Sequence, residues 1–181
     1  MTRSLLRARA APRRLLVTAA VTLAACTPTL DWREVRVEGG ALVALFPCKP
    51  DRRSRTVPLA GQPTRMQMLA CAAGDDTFAT SFLDVADPAD VSAAIGALRQ
   101  ATVTNVDGES PRFAPFALRG ATPNPLAGKL HVAGKLPDGR RVQAHAAFFV
   151  HGLRVYQASV VGVTPDARAV EGFLAGLRLA S

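Results

Sequence analysis

The chain has 181 residues, 49% of them hydrophobic and 20% charged, which suits one globular core with an appendage and excludes a disordered or fibrous polymer. Its formal charge of +8 invites a nucleic-acid or anionic-membrane reading. Five arginines, Arg3, Arg7, Arg9, Arg13 and Arg14, fall in the first 25 residues, which hold no acid; the remainder carries 17 basic against 14 acidic groups, about +3, and a nucleic-acid partner is not expected.

The opening MTRSLLRARAAPRRLLVTAAVTLAAC passes from an arginine-rich start through an uncharged apolar run, Leu15 to Ala25, to a cysteine. A charged start, a short apolar stretch and small residues before the cut are the anatomy of a secretory signal. The run is shorter than the about 20 apolar residues that a membrane-crossing helix needs. Residues 23 to 26, LAAC, resemble a bacterial lipobox. That resemblance implies a signal peptide over residues 1–25, cleavage before Cys26, acylation of the sulfur and new amino group of Cys26, and a membrane as partner through the lipid. An ordinary signal peptide with an incidental cysteine is the alternative. Thr27, in place of an aspartate, implies by the sorting rule of such lipoproteins the outer membrane, with the domain facing the periplasm. PRRLLV loosely resembles a twin-arginine export motif, so the export route stays open between that and the general secretory one. Residues 26–32 are the expected tether, and Trp32 either sits at the bilayer interface or packs on the edge of the domain.

A single domain is expected over residues 33–181. REVRVE alternates charge and valine, the period of a half-buried strand ending at Gly39-Gly40, and ALVALF is a second strand stopped by Pro47. From Arg53 the pattern reads strand, bend at AGQP with Gly61 and Pro63, and strand again through TRMQMLACAAG. TFATSFLDV is a further strand. DPADV starts a helix, with Asp87 as cap and Pro88 in its first position; Val91, Ile95, Leu98 and Thr102 share a face, and the end falls near Asn105. PRFAPFALRG reads as a short strand and ATPNPLAG as a loop. From Lys129 to Val163 two turns, LPDGR and HGL, divide a three-stranded antiparallel meander, with Val142, Ala144, Ala146, Phe148 and Val150 on one face and Arg141, Gln143 and His145 on the other. Thr164, Pro165 and Asp166 repeat the cap-plus-proline pattern ahead of a closing helix with the stripe Val170, Phe173, Leu174 and Leu177. This order gives an α+β fold, an antiparallel sheet of about six to seven strands flanked by helices.

The ordered set LVALFPCKP, VPLAGQPTRMQMLAC, TFATSFLDVADP, AIGALRQATVTNVDG, GRRVQAHAAFFVHGLRVYQASVVG and AVEGFLAGLRL resembles the bacterial members of the PsbP/Mog1-like fold group, over roughly residues 33 to 179. The resemblance implies the same sheet-and-helix architecture, used in that group for binding and accessory roles rather than catalysis.

Chemistry is sparse. The sequence has no G-x-S-x-G elbow and no H-E-x-x-H motif, and its isolated glycines lack the strand-loop-helix setting of a phosphate cradle. His131 and His145 can face each other across neighbouring strands, either as a metal pair or as solvated, hydrogen-bonded side chains, and His151 lies in a turn. Asp75 and Asp76 are expected as solvated turn residues. DRRSR at 51–55 is expected as a solvated loop, with contact to lipid headgroups or an acidic partner as its other reading. With Cys26 assigned to lipid, Cys48 and Cys71 remain, in a compartment where disulfides persist and without a C-x-x-C spacing. A disulfide between neighbours in one sheet is expected, two free thiols being the alternative. No cofactor is expected. The leading expectation is a non-catalytic envelope protein that binds a protein or small ligand; the alternative is a thiol- or metal-dependent periplasmic enzyme using Cys48, Cys71 and the histidines.

Overall fold

A computed structural model describes residues 30–37, 39–59 and 62–180; the expected signal peptide over residues 1–25, Cys26 and the bend residue Gly61 lie outside the described residues. The strands are β1 Arg33–Arg36, β2 Leu42–Phe46, β3 Asp51–Leu59, β4 Gln62–Ala73, β5 Asp76–Asp84, β6 Glu109–Ala114, β7 Gly128–Lys135, β8 Arg141–His151, β9 Arg154–Gly162 and β10 Arg178–Leu179. Two helices, α1 Asp90–Asn105 and α2 Ala167–Ala175, complete the described elements. β3 to β9 form a seven-stranded antiparallel sheet in the order β3-β4-β5-β9-β8-β7-β6, and β1, β2 and β10 form a separate three-stranded one.

The period-two pattern of β8 explains how one sheet carries two cores. Val142, Ala144, Ala146, Phe148 and Val150 point into a core capped by Val91, Ala94, Ile95 and Leu98 of α1. Ala147 and Phe149 point the other way, into a core closed by α2 and the small sheet. There Phe173 of α2 meets Phe46 of β2 and Phe78 of β5 edge-on, with ring centroids 5.2 and 5.4 Å apart. Each such phenylalanine, fully buried, contributes about 2–3 kcal/mol.

Several expectations change in detail. β1, β2 and β10 leave the main sheet for one of their own, and the chain closes on a strand rather than a helix: Leu177 follows α2, and β10 pairs with β2. α1 begins at Asp90, because Asp87 and Pro88 build a separate turn in which the Asp87 carboxylate accepts from the Ala89 N–H at 2.8 Å. At α2 the cap is Asp166, not Thr164; its carboxylate accepts from the Ala169 N–H at 2.8 Å, so Pro165 precedes the cap. The DRRSR segment belongs to β3, an exposed edge strand, because it pairs along β4 from Asp51↔Ala70 onward. Pro63 is paired with Pro58 inside the hairpin rather than standing at its bend. Leu30 and Trp32 pack on the core, and Trp32 meets Phe78 edge-on at 6.5 Å, the domain-edge alternative.

Candidate functional site

Register brings the notable side chains into one line. Across the face shared with α2, directly opposed residues run Cys71, Phe78, Val160, His145, His131, Arg112 from β4 to β6. The first half of this row lies under α2 and the small sheet; the second half is the floor of an open groove. One end of the row is the disulfide: Cys48 and Cys71 are bonded, with Cα atoms 6.0 Å apart. The bridge joins different parts of the fold from those expected, since Cys48 sits in the link from the small sheet to β3 while Cys71 lies within β4.

The groove has a volume of about 460 Å³. Pro165, Ala167, Val170 and Leu174 form its apolar wall along α2. Its polar side chains are Arg112 on β6, Lys129 and His131 on β7, Gln143 and His145 on β8, and Glu171 on α2. The two imidazoles stack with centroids 4.4 Å apart and planes inclined by 28°. His131 Nε2 lies 3.2 Å from the side-chain amide oxygen Oε1 of Gln143, within hydrogen-bond distance. Burial, reinforced by the neighbouring His131, holds His145 below the ordinary histidine value. His145 therefore resists taking up a charge in this half-buried position beside His131. Lys129 also lies over the ring of Phe116, its Nζ 5.4 Å from the centroid.

Sequence reasoning found the histidine pair but not the groove. Gln143 was visible as part of the polar face of β8. Arg112, Lys129 and Glu171 were not singled out, because their convergence depends on the bulged register of β6 and on where α2 lands. His151 is exposed at the end of β8, with Nδ1 3.0 Å from the carbonyl oxygen of Gly120, apart from the groove. Asp76 opens β5 at intermediate exposure rather than standing in the turn, and its partial burial raises its carboxyl from the ordinary value despite a hydrogen bond from the Asp166 backbone.

Arg154 forms a second polar cluster. Its guanidinium donates to both carboxylate oxygens of Asp84 at 2.6 and 2.7 Å, donates to the Gly39 carbonyl, and lies 4.2 Å over the ring of Phe82. These contacts clamp the β1–β2 turn to the main sheet and account for Arg154 as a structural group. Among the described residues, no group of three or more His, Cys, Asp or Glu side chains is arranged to hold a metal ion, and no helix is long and apolar enough to cross a membrane. Compared with known protein families and with curated proteins, the sequence matches none.

Proposed function

We propose that the chain is a lipid-anchored protein of the bacterial cell envelope, tethered through Cys26 to the periplasmic face of the outer membrane. Its domain, of PsbP/Mog1-like fold, serves as a non-catalytic binding module for a small ligand. The observation that carries this reading is the groove between α2 and the β6–β7–β8 end of the sheet. At about 460 Å³ it falls within the range of small-molecule sites, and it joins an apolar wall to a few convergent polar groups. Its lining includes no serine, threonine or cysteine, and among the described residues neither histidine is hydrogen-bonded to a carboxylate, which favours binding over bond-making chemistry. The thiol-enzyme alternative loses its nucleophiles because Cys48 and Cys71 are bonded to each other.

Each half of the proposal has its own test. The Cys26→Ser variant, expressed in a bacterium, is expected to lose both lipid mass and membrane partitioning; retention of both overturns the anchor. Ala167→Trp places an indole against the apolar wall and is expected to abolish binding of decyl-chain amphiphiles, followed by amide shifts. Unchanged binding by that variant overturns the groove as the site.

A further inference from the structure

The groove carries positive charge that the fold does not neutralise. Arg112 and Lys129 form no ion pair among the described residues, and Glu171 is the one acid in the lining. Beside Arg112 and Lys129 on the same face stand the two stacked imidazoles, ring nitrogens able to donate hydrogen bonds. Across from these groups runs the apolar wall of α2. A ligand that satisfies both sides has an apolar body and an acidic head, since an uncharged head leaves the cations unpaired and a bare anion leaves the wall wet.

We propose that the groove binds a single-chain anionic amphiphile, its chain along Ala167, Val170 and Leu174 and its head among Arg112, Lys129 and the His131–His145 pair. This rests on the groove being the ligand site. Binding is coupled to protons. His145 is faced by His131 and, beyond it, Arg112 across β7 and β6, by Lys129 on β7, by Glu171 on α2, and by the uncharged Gln143 and Val160 on β8 and β9. Asp76 and Asp166 lie together near Gly162, opposite Gln143 at the β9 side of the groove, and are the further acids on this face. Burial and His131 oppose protonation of His145; an anionic head at the edges of the stacked rings favours it, so binding takes up a proton and affinity rises as pH falls.

The full chain carrying Cys26→Ser, which accepts no lipid, is titrated with decanesulfonate, decanol, decyltrimethylammonium and methanesulfonate at constant ionic strength, by calorimetry and amide shifts. Decanesulfonate is expected to bind in the groove at least about ten-fold tighter than the other three. Its affinity rises about five-fold or more between about pH 8 and about pH 5.5, and because the sulfonate stays charged throughout, the change belongs to the protein. Arg112→Gln combined with Lys129→Gln weakens it at least about ten-fold at unchanged melting temperature, and His145→Gln flattens the pH profile. Equal affinity for decanol or for the cation overturns the anionic head, and a flat profile in the parent overturns the proton coupling. Methanesulfonate binding as tightly as decanesulfonate overturns the amphiphile in favour of a simple anion. If the groove amides are silent to all four probes, the ligand-site reading itself falls.

Discussion

Thr80 and Gly134 show how far a single position can depart from its appearance in the sequence. Thr80 sits between Leu69 and Ala158 in the sheet register, and its hydroxyl is buried without a partner among the described residues. Thr80→Val keeps the shape and removes the orphan group, so it should stabilise the fold by about 1 kcal/mol in urea denaturation. A loss of stability would show that the hydroxyl is bonded after all. Gly134 falls within the first strand of the expected meander, and it lies within β7, where the end of α1 crosses it. A methyl group there would overlap the Val106 carbonyl oxygen and stand 3.0 Å from the Gly108 Cα, and backbone atoms cannot turn aside as a flexible side chain can. Gly134→Ala is therefore expected to cost about 2–3 kcal/mol by the same measurement. A neutral outcome would mean that the α1–β6 connection moves freely. Neither environment follows from composition, since each depends on what another segment lays against the residue.

Elements with strong local signals were legible. The β7–β8–β9 meander follows from alternation plus turn chemistry at Asp138-Gly139 and Gly152, and the buried face of α1 from its i, i+4, i+7 spacing. The small sheet was not, because β10 has two residues and carries no period, and because β2 pairs with a segment more than 130 residues away in sequence. The helix starts slipped by a few residues for a similar reason: Asp-Pro and Thr-Pro-Asp each offer two capping geometries, and tertiary placement selects one. Between elements, the clearest energetic lever is the disulfide, which holds the link from the small sheet against β4. Its partners are 23 residues apart, which in a chain-entropy account corresponds to about 3 kcal/mol. Replacing both, Cys48→Ser with Cys71→Ser, should lower the urea-unfolding free energy by roughly 2–4 kcal/mol. A change below about 1 kcal/mol would assign the placement of the link to the nine paired positions of β3 and β4 alone.

The whole molecule is organised by a sheet that belongs to two cores at once, with Phe148 facing α1 and Phe149 facing α2. Losing either side strips a face of the same strands, so heating should produce one transition in which calorimetric and van't Hoff enthalpies agree. Two resolved transitions would show that the small sheet and α2 melt independently. The same shared sheet explains why the candidate site was only half visible in advance. His131 and His145 follow from one hairpin, whereas Arg112 arrives from the far edge strand and Glu171 from the last helix, distances in sequence that no local pattern spans. The Cys48–Cys71 bond has one more consequence, concerning breakage rather than stability. Together with the chain between its ends it closes a covalent ring around residues 49–70, which include the exposed outer strand β3. A protease that cuts once inside this ring opens it without releasing a fragment. The nicked protein keeps its mass on a non-reducing gel and parts into two pieces only when a reductant is added.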